Sequence, residues 1–193
     1  MVQSTGIKKI KCAVFISGTG SNLKSLIQFS KKKNSLISIE LIISDNPKAK
    51  GLKFGKIYKI SNKVFNYKNK IIAEKKIISE ITNKKIKLIC LAGFMRILSK
   101  NFIKRFKGKI LNIHPSLLPK YKGLNTHQRA ISNNEKYSGC TVHFVNSRLD
   151  SGKIILQKKI KISKFDTAKS LANKILIQEH KLYPKAIRKV FSL

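Results

Sequence analysis

The stretch "IKKIKCAVFISGTGSN", residues 7–22, predicts the fold of this chain. A basic lead-in is followed by a near-continuous apolar run, and the run ends in a glycine loop. The next residues, "LKSLIQFSKKK" (23–33), carry leucine and isoleucine at helical spacing. A strand, a glycine loop and a helix in this order are typical of the start of an α/β domain.

The same alternation continues along the chain. We predict strands at 36–44, 56–60, 86–94, 109–113, 137–145 and 152–162, and helices at 69–85, 99–106 and 166–191. Ser99 and Asp166 are the expected caps of the last two helices, and lysines alternating with apolar residues indicate that 152–162 is an edge strand. The order predicts one α/β domain over residues 1–193, with a mostly parallel twisted sheet, helices on both faces and antiparallel strands near the C-terminal part.

The net charge of +34 is extreme for 193 residues and would ordinarily indicate a nucleic acid or an anionic membrane as partner. Only five of the 42 basic residues are arginine, however, and the lysines are spread along the whole chain. Bidentate recognition of phosphates and bases favours arginine. We therefore expect a biased composition rather than a nucleic-acid footprint, with a general attraction for anionic substrates.

No segment has the pattern of a secretory signal, and no apolar run approaches the roughly 18 residues that a membrane span needs. We therefore expect a cytoplasmic protein without a membrane partner. The three cysteines, Cys12, Cys90 and Cys140, lie far apart in apolar stretches, which predicts small buried side chains rather than a disulfide framework. No histidine, cysteine and aspartate cluster has metal-ligand spacing, so no metal is expected.

The loop "SGTGSN" (17–22) is the first candidate binding site. Gly18 and Gly20 allow positive φ and close approach of a ligand, while Ser21 and Asn22 stand at the positive end of the next helix, where an anion binds. An ordinary turn with serine or asparagine as helix cap is the alternative. The loop lacks the third glycine of the dinucleotide fingerprint and the lysine of triphosphate-binding loops, which disfavours a nicotinamide cofactor.

The stretch "ILNIHPSLLPKYKG" (110–123) places Asn112 and His114 two residues apart at the carboxyl end of a strand. Alternate strand residues share a face, and open α/β sheets bind ligands at this edge. Asp150 lies in the turn between the last two strands, and its charge would raise the pKa of the His114 imidazole if the two side chains lay close together. A protonated imidazole of this kind can act as a general acid or as a partner of an oxyanion. The alternatives are a buried histidine with a capping asparagine, and a turn-forming aspartate.

The remaining candidates are single residues and one loop. The loop "LAGFMRILS" (91–99) presents large apolar groups after a strand and predicts either a slot for a flat heterocycle or a core plug. His143 is expected to be a buried, hydrogen-bonded core residue, and His127 to stand at a helix start near the pocket mouth. Glu179 and His180 lie on the long helix, where the residues alone predict a surface position.

Taken together, six stretches resemble the phosphoribosylglycinamide formyltransferases, folate-dependent enzymes of purine synthesis. They are "ISGTGSNLKSLI", "LAGFMRILS", "LNIHPSLLPKYKGLNTHQRAI", "GCTVHFV", "LDSGKIILQ" and "QEHKLYP", in the family's order and over nearly the whole chain. The resemblance implies a Rossmann-like sheet, no metal, and transfer of a formyl group from 10-formyltetrahydrofolate to the amine of phosphoribosylglycinamide. The oligomeric state is left open between a monomer and a homodimer.

Carried over position by position, the resemblance implies four groups of site residues. They are the catalytic residues Asn112, His114 and Asp150; the phosphate loop Gly20, Ser21 and Asn22; the acceptor-substrate contact Glu179; and the folate contacts Lys70, Met95, Arg96, Ile97, Leu98 and, shared between both ligands, Asn112. Lys70 stands where many members have an arginine, so it keeps the charge but loses the bidentate fork. The superfamily commonly has a cis bond at the place of Leu118–Pro119.

The expected mechanism follows from this resemblance. Attack of the amine on the formyl carbon builds a tetrahedral oxyanion, which the Asn112 amide and a protonated His114 stabilise while Asp150 orients the imidazole. One alternative is methionyl-tRNA formyltransferase, which shares the donor and the chemistry and would suit the basic charge. That family carries an additional C-terminal RNA-binding domain and lacks the loop "GTGSN". A noncatalytic basic RNA-binding module is the other alternative.

Overall fold

The computed structural model describes residues 9–192. In this part of the chain seven strands form one sheet: β1 (Ile10–Ile16), β2 (Ile37–Ser44), β3 (Ser61–Val64), β4 (Leu88–Leu91), β5 (Lys109–His114), β6 (Tyr137–Phe144) and β7 (Ile154–Lys161). The α-helices are α1 (Ser21–Ser30), α2 (Lys53–Tyr58), α3 (Lys70–Asn83), α4 (Lys100–Arg105), α5 (Thr126–Ser132) and α6 (Ala168–Phe191), with a 3-10 turn at Lys50–Leu52.

The strand order is β3-β2-β1-β4-β5-β6-β7. The first five strands in that order are parallel, and β6 and β7 are antiparallel to their neighbours. The predicted sheet, its C-terminal antiparallel strands and the edge position of β7 are confirmed. The order reverses at β1, which pairs with both β2 and β4, and in such sheets the crevice beyond this point is where ligands bind.

The stretch that predicted the fold alternates between the two faces of the sheet. Cys12, Val14 and Ile16 pack in one apolar cluster with residues of α1 and α6, whereas Ala13 and Phe15 pack in a second cluster with residues of α3 and α4. Because β1 is buried on both faces, it has an apolar sequence without polar alternation. Full burial of a large apolar side chain contributes about 1.5–3 kcal/mol, so this strand anchors both layers of helices.

Two predicted boundaries are wrong. The expected strand at 56–60 is instead the end of α2 and a left-handed residue, Lys59, with φ of 55°. The strand follows at 61–64, where all four residues are exposed and no apolar pattern marks it. The cap of α6 is Thr167 rather than Asp166; its side chain accepts a hydrogen bond from the Ser170 amide at 3.2 Å. The predicted cap of α4, Ser99, is confirmed.

The cysteines are buried and free, as predicted. Among residues 9–192, no helix combines the length and the apolar character that crossing a bilayer requires. In the same part of the chain, no cluster of three or more histidine, cysteine or acidic residues is arranged to hold a metal ion.

Candidate active site

A cavity of about 860 Å³ opens at the carboxyl ends of β4 and β5. It is lined by residues from every predicted part of the site: Asn22, Met95, Arg96, Ile97, Leu98, Asn112, His114, Asp150 and Glu179. A smaller cavity of about 230 Å³ lies beside the first glycine loop and shares Asn22, Gly93 and Met95 with the large one. The topology therefore brings together residues that are more than 150 positions apart in sequence.

The three predicted catalytic side chains converge. The Nδ1 atom of His114 lies 3.4 Å from Oδ2 of Asp150, and the amide nitrogen of Asn112 lies 3.5 Å from Oδ1 of the same carboxylate. Both His114 and Asp150 have buried side chains. Asp150 adopts a left-handed conformation with φ of 45°, and its Oδ2 accepts a hydrogen bond from the Gly123 amide at 2.9 Å. The turn between β6 and β7 thus presents this carboxylate to the end of β5.

The second ring nitrogen of His114 is fixed by the loop that follows β5. Its Nε2 lies 2.9 Å from the Tyr121 carbonyl, and a carbonyl only accepts hydrogen bonds, so Nε2 carries a proton. Tyr121 is in turn fixed through its hydroxyl, which donates to Glu135 at 2.8 Å and accepts from Asn133 at 3.0 Å. The ring is therefore oriented with Nδ1 toward Asp150.

The loop from Pro115 to Tyr121 is supported by two polar side chains, the buried Thr141 of β6 and the more exposed Gln157 of β7. The hydroxyl of Thr141 donates to the Ser116 carbonyl at 2.7 Å and accepts from the Leu118 amide at 3.1 Å. The Gln157 amide donates to both the Thr141 hydroxyl and the Leu118 carbonyl, each at 2.8 Å. The Leu118–Pro119 peptide bond is cis, as the resemblance implies.

The first glycine loop ends in an uncapped helix. The N-cap of α1 is Gly20, with φ of 75° and no side-chain hydrogen bond to the first turn, and Ser21 and Asn22 already belong to the helix. The alternative of a serine or asparagine cap is therefore wrong. A Cβ at Gly20 would lie 2.7 Å from Cα of Gly51, so both positions require glycine for the backbones to approach. The small cavity beside this helix start suits a single anion.

Glu179 lies inside the site and not on the surface, which corrects the expectation from the residues alone. It is 6% exposed, and its Oε2 accepts a hydrogen bond from the Asn22 amide at 2.7 Å. Burial raises the pKa of Glu179 to about 6, although the hydrogen bond from Asn22 opposes this rise. The carboxylate joins α6 to the first turn of α1, and the Oδ1 atom of Asn22 has no hydrogen-bond partner among the described residues.

The loop after β4 is tied to the first glycine loop through Asp45. Oδ1 of Asp45 accepts from the Ser17 hydroxyl at 2.5 Å and Oδ2 accepts from Nε of Arg96 at 2.6 Å. The Met95 amide donates to the same Ser17 hydroxyl at 2.8 Å. The exposed guanidinium of Arg96 is thus paired with the buried carboxylate of Asp45, while Met95 and Ile97 leave 63% and 58% of their area exposed at the cavity.

Residues 10–187 match the family model described as "Formyl transferase". The chain belongs to the formyl transferase family. Phosphoribosylglycinamide formyltransferase of Haemophilus influenzae is 42% identical over 181 residues, which are 92% of this chain and 85% of that protein. The solved phosphoribosylglycinamide formyltransferase of Brucella melitensis is 41% identical with a TM-score of 0.90, over 95% of this chain and 96% of that one.

The chain is also similar to the human trifunctional purine biosynthetic protein adenosine-3, with 42% identity over 188 residues. The match covers 96% of this chain but only 19%, about a fifth, of the human protein. The resemblance to phosphoribosylglycinamide formyltransferases predicted from the motifs is confirmed by these comparisons, and so is the fold.

Three further residues, Lys70, His143 and His127, have the following positions relative to the large cavity. Lys70 is the exposed first residue of α3 and is not among the described residues that line the large cavity. His143 is buried, as predicted, but it also lines the cavity, opposite Asn112 in the β5–β6 register. The antiparallel pairing of these two strands is the signal that would have placed it there. His127 stands at the start of α5 and lines the cavity, as expected.

Proposed function

We propose that this chain transfers the formyl group of 10-formyltetrahydrofolate to the amine of 5'-phosphoribosylglycinamide, a step of de novo purine biosynthesis. The single observation that carries this proposal is the convergence of Asn112, His114 and Asp150 in a cavity that joins an anion-sized pocket to an apolar slot. The names of relatives that the chain matches over 85% to 95% of their own length support the same assignment.

The proposed chemistry assigns each atom of the triplet a task. Attack of the amine on the formyl carbon produces an oxyanion, to which the Asn112 amide and the His114 imidazolium donate hydrogen bonds. The carboxylate of Asp150 orients the ring, and because the Nδ1–Oδ2 distance of 3.4 Å is long, the Nδ1 hydrogen remains available to the oxyanion. A bound water then carries the amine proton to the leaving folate nitrogen as the tetrahedral intermediate collapses.

The two substrates would occupy opposite ends of the cavity. We assign the substrate phosphate to the start of α1, at Gly20, Ser21 and Asn22, where free backbone amides and the helix dipole attract an anion. Glu179 would contact the remainder of the ribonucleotide. The apolar groups of Met95 and Ile97 suit a flat ring, and the backbone of the loop 93–98 can recognise its polar edge.

Three residues at the folate side, Arg96, Leu98 and Lys70, are also part of this proposal. Arg96 would contribute through its backbone, because its guanidinium already pairs with Asp45, and Leu98 would close the slot from within the core, where it is buried. Lys70 would contact the anionic folate tail from outside the cavity. We further infer a cytoplasmic enzyme that acts on small molecules without a metal, in which the excess of lysines has no nucleic-acid role.

A formyl-transfer assay tests the proposal and its alternatives. The purified chain is given 10-formyltetrahydrofolate with either phosphoribosylglycinamide or methionyl-tRNA, and formylated product is measured. We expect product from the ribonucleotide only; product from tRNA would favour methionyl-tRNA formyltransferase, and tight RNA binding without transfer would favour a binding module.

The catalytic triplet is tested in the same assay with His114→Ala. We expect a loss in kcat on the order of 100-fold or more, with a smaller change in KM, because the substitution removes a donor to the oxyanion. Near-normal turnover of this variant would refute the mechanism.

A further inference from the structure

His143 and Asn112 face each other on adjacent strands of the site. They are paired residues in the antiparallel register of β5 and β6, and side chains of such pairs lie on the same face of the sheet. The amide nitrogen of Asn112 is 3.2 Å from Nε2 of His143. A neutral imidazole nitrogen either donates or accepts, so the state of His143 decides which amide atom of Asn112 faces it.

The other ring nitrogen fixes that state. Nδ1 of His143 lies 2.8 Å from the Phe144 carbonyl, which only accepts, so Nδ1 carries the hydrogen and the neutral ring presents a lone pair at Nε2. Burial lowers the pKa of His143, and the charge of His114 acts in the same direction, against opposing contributions from the Phe144 carbonyl and Asp150. The ring is therefore an acceptor toward Asn112 at neutral pH.

The same geometry excludes the reversed amide. With the amide turned over, the Asn112 oxygen would face the Nε2 lone pair and also Oδ1 of Asp150, which lies 3.7 Å from Nε2. Two or three acceptors would then meet without a hydrogen between them, which is costly in a buried site. His143 therefore holds the Asn112 amide with its nitrogen, and not its oxygen, toward Nε2 and the Asp150 carboxylate.

We propose that His143 is a positioning residue for formyl transfer: its unprotonated Nε2 accepts one hydrogen of the Asn112 amide, so that the second hydrogen is directed at the oxygen of the reacting formyl group. The nearest described acceptor for that second hydrogen is Oδ1 of Asp150 at 3.5 Å, a distance at which a hydrogen bond is weak. The hydrogen is therefore available when the oxyanion forms. This inference rests on the proposed function, because it presumes that Asn112 binds the formyl oxygen.

Two amide substitutions separate the functions of the two ring nitrogens. In His143→Gln, the side-chain oxygen reaches the place of Nε2 and can still accept from Asn112. In His143→Asn, the shorter amide can still donate to the Phe144 carbonyl in place of Nδ1, but it leaves Asn112 without its acceptor. Both variants remove the imidazole, so each serves as the matched control of the other, and urea unfolding reports the stability of both.

The kinetic result expected is a difference in kcat. The kcat of His143→Asn falls about tenfold or more below that of His143→Gln, because the Asn112 amide is no longer directed at the oxyanion and its hydrogen bond is lost. The KM for both substrates differs little between the two variants. Equal kcat values in the two variants, or kcat values that follow the unfolding free energies instead of the retained acceptor, would overturn the proposal. Transfer by the wild-type chain in the same assay tests the proposed function separately.

A spectroscopic measurement tests the tautomer without relying on turnover. Nitrogen-15 NMR of the histidine-labelled protein, with the His143 signals identified by their absence in His143→Gln, is expected to show a protonated Nδ1 and an unprotonated Nε2 at neutral pH. A protonated Nε2 would overturn the proposal even if the chain proves to be an active formyltransferase.

Discussion

Replacing Glu179 with glutamine is expected to stabilise the protein at neutral pH. The side chain of Glu179 is buried and accepts a hydrogen bond from Asn22 at 2.7 Å. Glutamine keeps an oxygen for this hydrogen bond and has nearly the same volume, but it carries no charge. The substitution therefore isolates the free-energy cost of burying the ionised carboxylate.

The magnitude follows from the pKa of Glu179, which burial raises from an ordinary 4.5 to about 6. One pH unit corresponds to about 1.4 kcal/mol, so the ionised carboxylate costs about 2 kcal/mol of folding free energy. Between the two pKa values the folded chain binds more protons than the unfolded chain, so the free energy of unfolding falls as pH rises through this window. Above it, the full cost applies.

Urea unfolding measures this cost directly. The midpoint and slope of the unfolding curve are recorded for the wild type and for Glu179→Gln near pH 4 and near pH 7.5. We expect the variant to gain about 2 kcal/mol over the wild type at the higher pH and almost nothing at the lower one. Glu40→Gln, at a half-buried glutamate on β2, is the matched control for the chemical change from carboxylate to amide.

Two outcomes would refute the reasoning. A gain of equal size at both pH values would mean that packing, and not charge, is responsible. A loss of stability near pH 7.5 would mean that the ionised carboxylate is better satisfied than its burial indicates. In the formyl-transfer assay the same variant should have a raised KM for phosphoribosylglycinamide, so that it is more stable and less active.

Three further predictions concern the triplet and its supports. Asp150→Asn should lower kcat on the order of 100-fold, because the imidazolium loses its counter-charge, and a fall in affinity alone would contradict this. Thr141→Val should cost about 2–4 kcal/mol in urea unfolding, because two backbone groups lose their buried partner; the exposed control Thr82→Val should change little. Asp45→Asn should raise KM for the formyl donor by releasing Arg96 and the loop after β4, and an unchanged KM would argue against that tie.

Much of the fold could be predicted because the central strands are buried on both faces. Such strands have continuous apolar sequences, and β1, β2 and β4 were located on this signal. The strand β3 was missed because its four residues are all exposed, so neither face imposes an apolar pattern. The β-branched stretch at 56–60 resembles a strand locally, but there the burial of Phe54 selects a helix.

The site was predictable only as far as local geometry extends. Asn112 and His114 share a face because they are two residues apart on one strand, which the sequence shows directly. The approach of Asp150 depends on how the β6–β7 turn folds back beside β5, and no local pattern contains that information. The sequence places His143 only in the core because its role depends on the register between two strands, and the contacts of Asp45 with Ser17 and Arg96 likewise depend on tertiary structure.

The dependence of the site on Thr141 of β6, on Asp150 and on Glu179 of α6 has a consequence for a chain emerging from the ribosome. A nascent chain that has formed β1 to β5 already contains Asn112 and His114, yet Thr141, Asp150 and Glu179 have not been synthesised. Because domains fold as units, catalytic competence would arrive as a single late event when α6 docks. A translation product that stops before α6 would lack Glu179 and the Tyr183 hydroxyl that donates to the Leu111 carbonyl of β5, and we expect it to remain inert.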